Sequence, residues 1–522
     1  MQESESLMPA ATRIVHRLAA LLLATALPLA AQTDHAGATP SPKLEPVMML
    51  SDIHLDPFHD PGKFDRLRKT PASGWAAILG SDPTATQAAD FAKLQRTCKA
   101  KGVDTPYPLL ASALAAAHQQ QPEPLFVTVS GDLMAHQFDC RFYTLAPDAT
   151  EAEYSAFAAK TVEFVTLKLR ATFPGAPIYM ALGNNDSGCR DYREDPYSAF
   201  LKADGQTFAA AALSTTNASA IRQEFSQFGD YNVELPAPFD RTRLVVLQDI
   251  FDSAKYAGCS EKKHGSGGSS TAGTEQMEWL AKQLAAARAA HEKVWVMAHI
   301  PPGVDAYSTL KDDEGNACSK EPPVNFIPSA LFANDLEQYA DVIKLVLLGH
   351  THMDEMRAYS SMARGPAAAS AAHDAVAPGK LVPSITPVNG NNPAFTVAEV
   401  NPATATLVDY TVYSASTPPD WDTAPTWSKE YQFSTTYRLP NFSGASAAKL
   451  TSDFIADRAG SSPESEAYQQ FYFVGEAQAL KGVKGSLKAA AMKLVWPIYA
   501  CSLVHTDAQS FTACACPANA PQ

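Results

Sequence analysis

The chain lacks the features that mark a membrane protein, a zinc ribbon or a nucleic-acid binder. Beyond Ala31 no apolar run approaches the ~20 residues that a membrane span needs. That excludes a later transmembrane helix and leaves contact with a membrane surface open. No two cysteines are spaced as CxxC, which excludes a zinc ribbon or a thioredoxin-type redox motif. Basic residues are in deficit: 41 Lys and Arg stand against 55 Asp and Glu, for a net charge of −14. A nucleic-acid polymer needs a basic surface, so it is excluded as a partner. A small anionic substrate is not, because metal ions can reverse the local charge. Charged residues make up only 18% and hydrophobic ones 46%, which allows a large core and excludes bulk disorder. No internal repeat stands out.

What is present begins with an export signal. Arg13 and Arg17 precede the apolar run Leu18–Ala31, and Ala30 and Ala31 offer a cleavage site. Residues 1–31 read as a signal peptide and 32–45 as a linker. Glu3 and Glu5 are unusual for such a leader, which leaves either Met1 or Met8 as the start. The expected location is periplasmic or secreted. The eight cysteines, Cys98, Cys140, Cys189, Cys259, Cys318, Cys501, Cys514 and Cys516, then read as disulfide formers. Cys514 and Cys516 are too close to pair with each other. Cys501 with Cys514 would close a small loop; the other pairings, and the oligomeric state, do not follow from spacing.

Short apolar runs punctuate the chain: "PVMMLSDIH" from Pro46, "LFVTVSGD" from Leu125, "PIYMALGNND" from Pro177, "RLVVLQDIF" from Arg243, "KVWVMAHIPPG" from Lys293 and "VIKLVLLGHTH" from Val342. Near-continuous hydrophobicity over such lengths predicts strands buried on both faces. Between them the spacing predicts helices over Glu151–Thr172 and Thr274–Ala290, the latter with Thr274 as N-cap. Alternating strands and helices define an α/β core. Phe395–Tyr413 alternates like two strands around Asn401-Pro402. Asp56–Thr105, His264–Gly273 and Met362–Gly379 read as surface insertions. After Trp421 the pattern becomes helical, so 46–414 is expected to be the catalytic domain and 415–522 a helical, cysteine-bearing subdomain.

Chemistry collects at the ends of these runs. They deliver Asp52 and His54, Asp132, Asn184, His299, and His350 with His352. Oxygen and imidazole donors of this kind suit Zn, Fe or Mn, and sites in α/β sheets form at the carboxyl ends of strands. If the chain is extended there, His350 and His352 point the same way and one strand exit aims two imidazoles at one cluster. Gly131, Gly183 and Gly349 allow tight turns where the backbone crowds the site.

These blocks, in this order, resemble the calcineurin-like metallophosphoesterases, whose pattern is D-x-H, G-D, G-N-H-[DE], a lone His and G-H-x-H. The resemblance covers about Pro46–Tyr413. "SGDLMAH", "AHIPPG" and "PSITPVNGNNPAF" are similar to acid sphingomyelinase and its phosphodiesterase relatives, as is the cysteine-bearing end with Cys501 and Cys514. Only the short linker separates the signal from the first strand, leaving no room for a saposin-like domain; the match therefore tilts toward the acid sphingomyelinase-like phosphodiesterases. The resemblance implies a four-layer αββα sandwich with two divalent metal ions, zinc first and iron or manganese as alternatives. It implies that Asp52, His54 and His352 hold one ion, that Asn184, His299 and His350 hold the other, and that Asp132 bridges them. A hydroxide between the ions would then attack the phosphorus of a small phosphate ester.

The third block departs from the pattern: "GNND" places Asn185 where relatives carry histidine. Asn185 can donate a hydrogen bond but cannot transfer a proton at neutral pH. His136, four residues after Asp132, is the candidate to assist the leaving group. The expected activity is phosphodiester hydrolysis, of nucleotide or phospholipid head-group type. The rivals are a phosphomonoesterase or nucleotidase on the same scaffold, and a non-catalytic metal-bound surface protein. Asn217-Ala-Ser and Asn441-Phe-Ser match the glycosylation pattern.

Overall fold

The apolar runs become strands, and their carboxyl ends fall where the polar blocks begin. The computed structural model describes residues 43–261, 270–312, 318, 322–360, 375–415, 425–474 and 492–516. The expected signal peptide and nearly all of the linker lie outside them. In chain order the strands are β1 (Glu45–Leu50), β2 (Phe126–Ser130), β3 (Ile178–Ala181), β4 (Tyr231–Glu234), β5 (Thr242–Val246), β6 (Lys293–Met297), β7 (Ile343–Leu348), β8 (Glu355–Tyr359), β9 (Ala377–Leu381), β10 (Ala394–Asn401), β11 (Thr406–Ala415) and β12 (Trp427–Gln432).

They form two six-stranded sheets, ordered β12-β11-β10-β1-β2-β3 and β4-β5-β6-β7-β9-β8. In the first, β1, β2 and β3 run parallel, with Val47 opposite Phe126 and Val127 opposite Ile178. In the second, β5, β6, β7 and β9 run parallel. The antiparallel hairpin β10–β11 adds to β1 through pairs such as Met48 with Val397. Strands β2, β3 and β7 are buried along nearly their whole length, which explains their lack of alternation.

The sheets pack face to face. Trp295 on β6 meets Phe126 on β2 edge-on at 5.7 Å, and its indole Nε1 donates to Ala405 O at 2.8 Å. Along β6 the side chains alternate: Trp295 and Met297 enter the core between the sheets, while Val294 and Val296 face the helices Thr271–Ala289 and Leu331–Gln338. On the far side of the first sheet, Phe157 and Phe164 of the helix Glu151–Thr172 pack around Trp75. That helix starts at Thr150, whose hydroxyl accepts from Glu153 N while the Glu153 carboxylate accepts from Thr150 N, satisfying two end donors. The result is the αββα sandwich.

Four expectations change. The helix placed at Thr274–Ala290 begins a turn earlier, at Thr271, because Ser270 is its N-cap. Asp56–Thr105 is not a surface loop: it contains the helices Phe64–Lys69, Trp75–Leu79 and Gln87–Thr97, and buries Phe64, Leu67 and Trp75. Met362–Gly379 ends in β9, a fully buried strand; the rest of that stretch to residue 374 is outside the described residues, as is most of His264–Gly273. Among the described residues after 415, the first element is not a helix but β12, which pairs with β11 in the first sheet, before the helices Gly444–Ala456, Pro463–Phe471, Trp496–Ser502 and Ala508–Ala515.

Candidate metal centre

Both sheets present the carboxyl ends of their parallel strands at one edge, so the polar blocks meet there. All seven strand-end residues converge. Asp132 Oδ2 lies 3.3 Å from His54 Nε2 and 3.1 Å from His299 Nε2. Asp52 Oδ1 lies 3.4 Å from His352 Nε2 and 3.8 Å from His54 Nε2. His350 Nδ1 and Asn184 Oδ1 are 2.9 Å apart, and the rings of His299 and His350 meet edge to face at 5.2 Å. Asp52, His54, Asp132 and His352 form a set compact enough to hold an ion; His54, His136 and His352 form another.

The backbone is bent hard to achieve this. Asp52, His54, Asp132, His350 and His352 all have left-handed φ, between 45° and 75°. Such residues cost about 1–3 kcal/mol each and persist only where the surroundings hold them. Here Asp52 N donates to Gly131 O, His54 N to Asp132 O, and His350 N to the Asp52 carboxylate. The extended chain expected at "GHTH" is therefore absent. The two left-handed turns send His352 toward Asp52 and His350 toward Asn184, so the histidine pair is divided between the two halves of the site. The glycines have a matching reason: a Cβ on Gly183 would collide with Asp132, and one on Gly349 with Ser51 and Asp52.

The donor chemistry fits metal ions. His54 Nδ1 is 2.8 Å from Met134 O, and His299 Nδ1 is 2.8 Å from Ser130 O. Carbonyls only accept, so these ring nitrogens carry the proton and each Nε2 turns a lone pair inward. Both Nε2 atoms are buried and make no hydrogen bond among the described residues. Two lone pairs facing one carboxylate call for a cation between them. Without an ion in place, the electrostatics favour a proton there instead. Burial lowers the affinity of His54 and His299 for a proton, but Asp132 overcomes it, lifting His54 well above its ordinary range and His299 to about 10. Burial would raise Asp132, yet His299 and His54 hold it well below the carboxylate range. Burial, then the charge of His299, depresses His350 to about 3; burial and His54 depress His352. Their imidazoles are neutral and available as ligands.

A surrounding layer fixes these groups, and most of it was not anticipated from sequence. Asp186, the last residue of "GNND", accepts from Leu133, Met134 and Gly183 N–H groups and so locks two ligand loops together. Asp191 Oδ1 accepts from Asn184 Nδ2 at 2.8 Å, which turns Asn184 Oδ1 inward. Ser51 Oγ donates to Asp52 Oδ2. The "PSITPVNGNNPAF" segment supports the floor: Thr386 N donates to Asp52 O, Ile385 N to Ser51 O and Ser384 N to His352 O. Beyond His352, Asp354 is held by Lys380 and by the Tyr431 hydroxyl, and its N–H donates to Tyr472 O.

Asn185 and His136 occupy different places. Asn185 donates twice to Asp132, from its backbone N to Oδ1 and from its amide Nδ2 to Oδ2, each at 2.8 Å. His136 sits at the rim, part-exposed, with Nδ1 and N both bonded to Asp104. Asp104 is itself paired with Arg141, which also pairs with Asp56. Burial would raise Asp104, but His136 and then Arg141 hold it below its ordinary value. The site opens to a cleft of about 210 Å³ lined by Asp132, His136, Asn184, Asn185, His350 and His352, among others. A larger cavity of about 660 Å³ lies at the amino ends of β6 and β7, beside Lys293 and Ile343, and contains none of these groups.

Four disulfides close the chain: Cys98–Cys140, Cys189–Cys259, Cys318–Cys516 and Cys501–Cys514. Asn217 is buried, donating to Tyr179 Oη and Glu234 O, which removes it as a glycosylation acceptor in the folded chain.

Residues 45–354 match the calcineurin-like phosphoesterase family, and the chain belongs to that family of phosphoric ester hydrolases. Within it, the similarity runs to acid sphingomyelinase-like phosphodiesterases. The chain is 25% identical to human acid sphingomyelinase-like phosphodiesterase 3b over 475 residues, 89% of each chain. It is 22% identical to mouse cyclic GMP-AMP phosphodiesterase SMPDL3A over 422 residues, 79% of this chain and 81% of the relative. It is 25% identical to sphingomyelinase phosphodiesterase D of Dictyostelium discoideum over 355 residues, 67% of this chain and 70% of the relative.

Proposed function

We propose that the chain is an exported dimetal phosphodiesterase. Asp52, His54 and His352 would hold one ion, Asn184, His299 and His350 the other, with Asp132 shared. The observation that carries this reading is the position of Asp132 Oδ2 between two buried, unbonded imidazole nitrogens, His54 Nε2 and His299 Nε2. Divalent ions bound there lower the pKa of a coordinated water and neutralise charge on the phosphate oxygens. Zinc suits the imidazole-rich set, with iron or manganese as alternatives.

The protein's own groups supply the rest. Asn184 is oriented by Asp191, and Asn185 orients Asp132. Asp104 holds His136 Nδ1, which leaves His136 Nε2 as the atom able to give a proton to a departing alkoxide. Asn185 cannot transfer a proton at neutral pH and acts as a positioning residue. Export is supported by the four disulfides, which suit an oxidising compartment. Among the described residues no helix is long and apolar enough to cross a membrane.

A substrate panel tests the reading. With zinc or manganese restored after chelation, bis-p-nitrophenyl phosphate should be hydrolysed with higher kcat/KM than its monoester. A preference for the monoester or for nucleoside monophosphates would favour the phosphomonoesterase alternative. No turnover of any ester by fully metallated protein would favour the non-catalytic one. Sphingomyelin in the same panel separates a lipid diesterase from one acting on soluble esters.

A further inference from the structure

Two lysines, Lys101 and Lys255, line the cleft. Neither forms a close ion pair with a carboxylate among the described residues, although the charge of Lys255 acts on Asp191 at longer range. Each is carried on a loop tied to the site. Lys101 lies between Cys98, bonded to Cys140, and Asp104, which holds His136. Lys255 lies between Ser253, whose Oγ accepts from Lys255 N, and Ala257, whose N–H donates to Tyr192 O. Tyr192 N in turn donates to Asn184 O, and Cys189–Cys259 joins the two loops. Among the described residues lining the cleft, the carboxylates are Asp132 and Asp191, the latter hydrogen-bonded to Asn184.

The lining also bears on the cation that a choline ester carries. A quaternary ammonium is recognised by open aromatic faces. Among the described residues lining the cleft, Tyr192 is the only phenolic or indole side chain, and the ammonium of Lys255 already lies 4.8 Å over its ring. The two lysines offset Asp132 and Asp191 in the lining, so with divalent ions held by the site the cleft would be positive and focus anions in a chain of net charge −14.

We propose that Lys101 and Lys255 form a second anion subsite, which receives a negatively charged group carried by the substrate beside its scissile phosphodiester and disfavours choline-type esters. The inference rests on the phosphodiesterase reading for its catalytic consequence, but its binding consequence stands alone. Both lysines are solvated, so each contributes modestly and in a salt-dependent way.

Two arms test it on the metal-loaded full chain, with circular dichroism and metal content verifying each variant. In the binding arm, calorimetry compares inorganic pyrophosphate with inorganic phosphate. Wild type should prefer pyrophosphate, and Lys101→Gln with Lys255→Gln should erode that preference by roughly tenfold. In the turnover arm, kcat/KM is compared between UDP-glucose, a pyrophosphate diester, and bis-p-nitrophenyl phosphate. The double variant should lower that ratio by a similar factor, and 0.5 M salt should lower it in wild type but hardly in the variant. Lys255→Glu should raise the ratio of p-nitrophenylphosphorylcholine to bis-p-nitrophenyl phosphate. Pyrophosphate preference and both ratios staying within about twofold of wild type would overturn the subsite. A lysine-dependent pyrophosphate preference without hydrolysis of any diester would keep the subsite and sink the phosphodiesterase reading.

Discussion

The imidazole of His136 stacks on that of His54, with 4.1 Å between ring centroids and 14° between planes. A rim histidine is thus laid directly over a candidate metal ligand, and Asp104 fixes its tautomer. This geometry suits a proton donor to a departing alkoxide. His136→Ala should lower kcat on an alkyl diester by ~100-fold or more, and far less on a p-nitrophenyl ester, whose leaving group needs little help. Asp104→Asn should show the same selectivity, and the double variant should be little worse than His136→Ala alone. Equal losses on both esters would assign His136 to binding instead.

Asn185 acts on Asp132. Removing its amide by Asn185→Ala leaves only the backbone donor to that carboxylate. Such support around a metal site is typically worth about 10- to 100-fold in affinity or activity. Asn185→His keeps a donor and adds a titratable one, so it should match or exceed wild-type turnover. Metal titration with competing chelator reads the first effect, and steady-state kinetics the second. An inactive Asn185→His variant would contradict this assignment.

Stability should depend on pH through the buried acids. Burial pushes the Asp230 carboxyl up to about 8, only partly offset by donors from Gln248 N and Gln276 Nε2; its other oxygen has no hydrogen-bond partner among the described residues. Burial likewise holds Asp249 near 7. An acid whose folded pKa is raised binds its proton more tightly folded than unfolded. Between the unfolded value near 4 and pH 8 the folded form therefore loses stability as pH rises, by at most about 1.4 kcal/mol per unit per group. Metal-free protein should melt at a higher temperature at pH 5 than at pH 8. Asp230→Asn should flatten that slope and stabilise the protein most at pH 8. A Tm that rises from pH 5 to 8, with no effect of Asp230→Asn, would be the opposite result.

Cys501 and Cys514 are bonded across a sequence separation of 13, as their spacing allowed. A loop of that size contributes about 3 kcal/mol at most. Cys501→Ser with Cys514→Ser should lower Tm by a few degrees in a chain this long. Peptide mapping without reduction should recover the linked pair from exported protein; two free thiols there would refute it.

The strand-end blocks were legible because burial on both faces erases alternation, leaving runs such as "KLVLLGHTH" that stop at a polar residue. The site residues followed, since a ligand must sit where a buried strand surfaces. What stayed hidden depends on contacts between distant segments. Asp104 looks like any loop acid until the fold brings it to His136, 32 residues on. β9, "APGKL", has almost no strand signal because its Lys380 is buried against Asp354 rather than exposed. β12 was misread because "WSKEYQ" is an edge strand, polar and half-exposed. The left-handed turns at His350 and His352 could not be read either, since non-glycine residues rarely adopt them without tertiary support.

Metal stoichiometry measured together with activity tests the central claim most directly. Elemental analysis of the exported protein should find about two divalent ions per chain. Chelation should abolish diester hydrolysis, and zinc or manganese should restore it. Asp132→Asn should lose metal and activity together, because one carboxylate serves both halves of the site. Full hydrolysis by protein shown to be metal-free, or an Asp132→Asn variant with normal metal content and rate, would contradict the account.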